Sequence, residues 1–188
     1  MRLLLAFFLI ASPALAHHPF EGATETFSNF DGLLSGLAHP LLGIDHLLFL
    51  LSIGLVGGIS LSGWAIPLLF SGLFGSLLAL LSQSIFPFGE IVMGLSLIVS
   101  AFVCLGHLRP AWMIPLITSH GYVLGETIIG AEPTTLIMYL FGLFLVQGLL
   151  ITLSVLLLRR YFINKKLIAF TLIGSGMVYS FTTLFGMS

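Results

Sequence analysis

Charge is what this chain has least of. Its 188 residues include six lysines and arginines and seven aspartates and glutamates, 7% charged in all. A soluble domain carries about 25%, so this chain lacks the polar surface that a water-facing fold needs. No basic cluster is present to neutralise phosphates, which excludes nucleic acid as a partner. There is one cysteine, Cys104, so neither an internal disulfide framework nor a thiolate cluster is available. No Gly-rich loop ending in Gly-Lys-Ser/Thr is present, so the chain is not itself an ATP-driven pump, and no His-Glu-x-x-His helix of a metalloprotease is present. What remains is apolar: 58% of residues are hydrophobic and the mean hydropathy is +1.17. Such a chain is expected to be an all-α integral membrane protein.

The stretch MRLLLAFFLIASPALA, residues 1–16, has a positive Arg2, a short apolar core and the small-residue ending Ala14-Leu15-Ala16. That is the layout of a cleavable signal peptide. Cleavage after Ala16 leaves 17–188 as one membrane domain starting outside the cytoplasm at His17-His18; an uncleaved anchor is the alternative. A bilayer core needs about 20 apolar residues per helix. Six segments suit that length: Leu33 to Val56, Leu61 to Leu81, Gly89 to Leu105, Trp112 to Ile129, Thr135 to Leu158 and Leu167 to Phe185. Turn chemistry separates them at Gly57-Gly58, Pro87, Arg109-Pro110 and Glu132-Pro133. With the mature N-terminus outside, Arg109 and the run RRYFINKK (Arg159 to Lys166) fall inside, while Glu21, Glu25, Asp31 and Glu132 fall outside. This obeys the positive-inside rule and puts Ser188 outside as well.

The intramembrane ionisable set is small: His39, Asp45, His46, Glu90, His120 and Glu126. Such groups are costly in lipid and usually serve a pathway or a buried pair. No lysine or arginine is present to neutralise the carboxylates, which will take up protons or bind a cation. Imidazoles with carboxylates favour a first-row divalent metal over sodium or calcium. In HPLLGIDH, residues 39–46, a straight helix would hold His39 and His46 about 10.5 Å apart along the axis, too far to share one ion. Pro40 disfavours helical backbone at His39, so a helix break is expected there. The alternative is a proline kink with both histidines bonded to neighbouring carbonyls.

In SHGYVLGE, residues 119–126, Gly121 and Gly125 suit close helix packing, and His120 and Glu126 share the same helix. Glu90 opens the third segment, either as a solvated helix-start acid or as part of the path. His17 and His18 would chelate metal with a free terminal amine, or form an unstructured polar start. Histidine followed six residues later by a carboxylate occurs twice, as His39/Asp45 and His120/Glu126. A 3+3 inverted repeat would make the first and fourth segments equivalent; coincidence is the alternative.

HPLLGIDHLLFLL, SHGYVLGE and GEIVMGLSLIVSAFV together resemble the signatures of the HupE/UreJ family of nickel and cobalt permeases. His39, Asp45 and His46 fill the first signature. His120, Gly121 and Glu126 fit the second, and Glu90 and Ser96 match the third segment. The resemblance implies a six-helix permease domain in the bacterial inner membrane that takes up Ni(II) or Co(II) as substrate, without a resident cofactor. The expected metal path is His39, Asp45, His46, His120, Glu126 and Glu90, with His17 and His18 at its mouth. The expected partners are the metal ion and the lipid bilayer, with room for a homo-oligomer. Two departures stand out: Leu124, and Gln147 with Ile151, occupy positions where many relatives carry histidine. The alternatives to a transporter are an intramembrane metal-dependent enzyme and a non-transporting metal-sensing subunit.

Overall fold

The computed structural model describes residues 28–60, 63–160 and 164–185. The signal-peptide expectation, with His17 and His18, lies outside the described residues. Among the described residues, seven α-helices account for the architecture: α1 Asn29–Leu42, α2 Ile44–Ser60, α3 Ala65–Ser82, α4 Gly89–Cys104, α5 Met113–Glu126, α6 Pro133–Arg160 and α7 Lys165–Leu184. No strand occurs among the described residues.

The first expected segment is two helices. Ser28 caps α1 in a capping box, with its hydroxyl accepting from the Asp31 N–H at 3.2 Å and its own N–H donating to Asp31 Oδ2 at 2.9 Å. The expected break at His39 does not occur. Pro40 sits inside the last turn of α1, where it removes one hydrogen bond and crowds the Gly36 carbonyl of the preceding turn, yet the helix runs on to Leu42. The helix ends instead at Gly43, whose ψ of 107° turns the chain outward. The Gly43 N–H closes α1 on the His39 carbonyl at 3.0 Å, and the Gly43 carbonyl opens α2 by accepting from Leu47 N–H at 2.8 Å. The two helices meet at 79°.

Three close pairings organise the bundle. Gly32 of α1 faces Thr135 of α6, and Gly36 faces Tyr139 and Leu143 one turn on, so these helices run parallel. Gly121 of α5 lies on Gly72 of α3 and Gly125 lies on Ser76, so this pair is parallel too. Gly94 of α4 meets Gly176 and Ser180 of α7, while Gly176 meets Leu97 and Ile98, which makes the pair antiparallel. Without water between helices, such small-residue seams let backbones close up and gain dispersion contact. The Ser76 hydroxyl donates to the Gly121 carbonyl at 2.7 Å across the α3–α5 seam.

The bundle exposes large apolar side chains that a soluble protein would bury. On α3, Ile66, Phe70, Phe74, Leu77 and Leu81 are exposed, while Gly72, Gly75, Ser76 and Ala79 are buried. On α6, Ile137, Phe141, Leu145 and Leu149 face outward, while Gln147 and Ser154 are buried. Among the described residues α3, α6 and α7 are each long and apolar enough to cross a membrane, and the bent α1–α2 pair passes the same test only when taken together, as a broken span or a re-entrant loop. At 16 residues and 14 residues, α4 and α5 are about 24 and 21 Å long. Both are shorter than a hydrocarbon core of about 30 Å.

The ends of the bundle differ in charge. At one end Asn29 meets Thr135 at 3.4 Å, the Phe86 N–H donates to Glu126, and the Tyr122 hydroxyl donates to the Ser84 carbonyl at 2.8 Å. Asp31, Glu90, Glu126 and Glu132 belong to this end. At the other end Cys104 lies within electrostatic range of Lys165, and the loop carrying Arg109 follows directly.

Candidate functional site

The bend at Gly43 builds the site. It folds the last turn of α1 back over the first turn of α2, and the imidazoles of His39 and His46 come to 5.4 Å between ring centroids. Both rings are buried, with 2% exposure each, and Asp45 beside them is 7% exposed. The distance from Asp45 Oδ2 to His46 Nε2 is 3.9 Å. Gly43 is obligatory in this geometry: a Cβ there would lie 2.6 Å from His46 Cδ2 and 3.2 Å from Asp45 Oδ1. Asp45 also occupies the first turn of α2, where the helix dipole favours a negative charge and where the carboxylate offsets that dipole for an approaching cation.

The second motif reaches the same place. His120 of α5 is buried and packs edge-to-face on His46 at 5.7 Å between centroids, with an interplanar angle of 80°. Phe49, one turn beyond His46 on α2, stacks on the other side of His120 at 3.7 Å and 15°. His120 Nδ1 faces the Leu116 carbonyl at 3.3 Å, which leaves Nε2 as a buried nitrogen with no protein partner. Two imidazoles on one ion, with metal–nitrogen distances of about 2.0–2.1 Å, place their centroids at spacings close to those observed. Among the described residues no three histidine, cysteine, aspartate or glutamate side chains converge on a common point. The arrangement is therefore a chain of adjoining pairs, His39–His46 and His46–His120.

The carboxylates occupy separate stations. Glu126 is the last residue of α5 and accepts from the Phe86 N–H, tying the α5 end to the α3–α4 loop. It does not join His120 in one constellation. Glu90, at the start of α4, lies within electrostatic range of Tyr179 on α7, and Tyr179 sits beside Asp45. Thus α7 brings Asp45 and Glu90 toward a common partner. Gln147 is 1% exposed; its Oε1 has no protein partner and points at the α3–α5 seam near Gly72 and Ile117. Gly43, Phe49 and Tyr179 are absent from the sequence-derived site. Phe49 reads as one more apolar residue in LLFLL, and Tyr179 lies about 130 residues from its carboxylate in a segment without a motif; only the fold connects them.

An apolar-surfaced helical bundle whose interior holds three imidazoles, the Asp45 carboxylate and the Gln147 amide is compatible with a multi-pass membrane protein with a polar internal site. The HupE / UreJ protein family model matches residues 5–184, nearly the whole chain, and the chain belongs to that family. No curated protein and no solved structure matches it.

Proposed function

We propose that this chain is a secondary transporter that takes up a divalent transition-metal cation, Ni(II) or Co(II), through its intramembrane histidines and carboxylates. The observation that carries the reading is the meeting of His46 and His120, one from each signature, at 5.7 Å inside the bundle. Membership of a family generally associated with nickel and cobalt transport supports it. Neutral imidazole suits these metals and carboxylate adds charge. In the proposed sequence, Glu90 and the acidic end concentrate the ion, with His17 and His18 as further captors. Asp45 and His46 receive it at the bend, where the carbonyl-bearing C-terminal end of α1 favours a cation. His39 and His120 then share it in turn with His46. Pairwise holding suits transport, because a site that binds too tightly cannot release its ion. Glu126 serves the acidic mouth of the path.

Six crossings in the inner membrane, both termini outside, belong to this reading, with α4 and α5 as the shorter crossings. The helix directions support it. Alternating crossings make the first and fifth parallel, the second and fourth parallel, and the third and sixth antiparallel, as α1/α6, α3/α5 and α4/α7 are paired. A 3+3 inverted repeat exchanges the first two of these pairs and maps the third onto itself. Ser119 does not pair with His120 as a nucleophile, since its hydroxyl donates to the Pro115 carbonyl at 2.9 Å. Uptake of Ni(II) and Co(II) by liposomes containing only the purified protein tests the proposal, with zinc and iron as competitors at two external pH values. Saturable uptake is expected, reduced at least about tenfold by His46→Ala or His120→Ala, the loss that even a metal ligand's outer partner brings. Uptake that survives loss of both histidines rules the path out.

A further inference from the structure

Gln147 is a buried polar residue that the proposed metal path leaves unused. It is 1% exposed and lies at the middle of α6, in a stretch long and apolar enough to cross a membrane. An amide there has no solvent to bond, and buried polar atoms are normally hydrogen-bonded. Yet Gln147 Oε1 has no partner among the described residues, and neither has His120 Nε2.

The helix seams bring both side chains to one level of the bundle. Along α6, Gly36 of α1 meets Tyr139 and Leu143, and Gly54 of α2 meets Ile151 and Ser154. Gln147 lies four residues after Leu143 and four before Ile151, so it belongs to the same helix face, on the stretch that the bend between α1 and α2 spans. That bend carries His39, Asp45 and His46. From there the side chain reaches the α3–α5 seam, where a Cβ on Gly72 would lie 3.2 Å from Gln147 Oε1 and 3.2 Å from Ile117 Cγ1. Ile117 is three residues before His120 on the buried face of α5, and Gly121, directly after His120, rests on Gly72. The amide therefore runs from the level of the bend to the helix turn that carries His120.

Neither of the two atoms can serve the other. The Leu116 carbonyl that faces His120 Nδ1 at 3.3 Å only accepts, so Nδ1 carries the proton and Nε2 presents a bare lone pair. The amide oxygen likewise only accepts. Two buried lone pairs on adjoining turns call for a donor or a cation. We infer that Gln147 is a further ligand of the transported metal, its Oε1 supplying a neutral oxygen beside the His46–His120 pair. This deepens the transporter reading and rests on it. An amide oxygen adds a donor without adding charge, which leaves the ion held loosely enough for release.

Co(II) binding to the purified protein in detergent tests the assignment apart from transport. Gln147→Met keeps the reach of the side chain and removes the amide. It is expected to weaken Co(II) binding at least about tenfold and to change the visible absorption of the bound ion, which reports its coordination. The Tm without metal is expected to hold, because the amide oxygen lost has no protein partner. A lowered Tm with cobalt affinity unchanged would make the amide structural and overturn the assignment. Affinity and absorption both unchanged would overturn it too, leaving the amide to an internal water. As a second variant, Gln147→Glu keeps an oxygen at the same reach. It is expected to bind Co(II) at least as tightly as the parent and to lower the maximal uptake rate several-fold, because added charge hinders release. Binding lost in Gln147→Glu as fully as in Gln147→Met contradicts an oxygen ligand. Cobalt binding that depends on Gln147 in a protein that moves no metal would sink the transporter reading while keeping the ligand.

Discussion

Gly43 decides whether the histidines can meet. Its missing side chain leaves room for the His46 ring, and Gly43→Ala puts a methyl group 2.6 Å from His46 Cδ2. Overpacking of this kind costs about 1–3 kcal/mol, and here the group displaced is a proposed ligand. Gly43→Ala is expected to abolish uptake and lower the Tm. Gly148→Ala is the matched control: a Cβ there meets nothing nearer than 3.8 Å, so uptake and Tm should hold. Phe49 acts by orientation, since its stack fixes the ring plane of His120. Phe49→Leu removes an aromatic contact worth about 0.5–1.5 kcal/mol and is expected to raise the KM for Co(II) while leaving a folded protein. The donor chemistry at this scale was legible in the sequence: His39, Asp45 and His46 announce themselves by their cost in lipid. The residues that aim them were not, because a glycine's missing Cβ matters only against a neighbour that the bend supplies.

Helix positions followed from hydropathy and turn residues, as α4 and α6 show by starting within two residues of where the sequence alone places them. The break did not follow. Pro40 is the residue that sequence reasoning blames, yet α1 continues through it to Leu42, although it gives up a hydrogen bond and crowds the preceding turn. The chain turns three residues later, where glycine permits the approach of His46. The two accounts predict opposite outcomes. Pro40→Ala should keep uptake and the spacing of His39 and His46, measured by spin labels or by cross-linking of cysteines at those positions; Gly43→Ala should lose both. The reverse result would return the break to His39. The partition of the second motif was equally hidden. His120 and Glu126 share α5, but six residues of helix separate them by about 9 Å, and the Phe86 amide claims the glutamate.

The whole molecule separates its charges by end, and the helix directions explain how. Asp31, Glu90, Glu126 and Glu132 gather at the end where α1, α4 and α6 start, while Arg109, Lys165 and Lys166 lie at the other. Positive charge retained on the cytoplasmic side then sets the proposed orientation. An alkaline phosphatase fused after Ser188 should be active, and one fused in the loop at Arg109 inactive; the opposite pattern inverts the bundle and the direction of the path. In the sequence, the proposed repeat rests only on two histidine–carboxylate pairs. Its stronger argument is the exchange of α1/α6 with α3/α5, a relation between elements that no residue spacing records.

The central claim is that the two signatures hold one ion between them, and X-ray absorption of the Co(II)-loaded protein in detergent addresses it most directly. The account predicts imidazole scattering from His46 together with His39 or His120. His46→Ala should remove it, because His46 belongs to both pairs, and His120→Ala should leave one imidazole pair at most. Cobalt bound with oxygen ligands only, or imidazole scattering unchanged by loss of His46, would contradict the account.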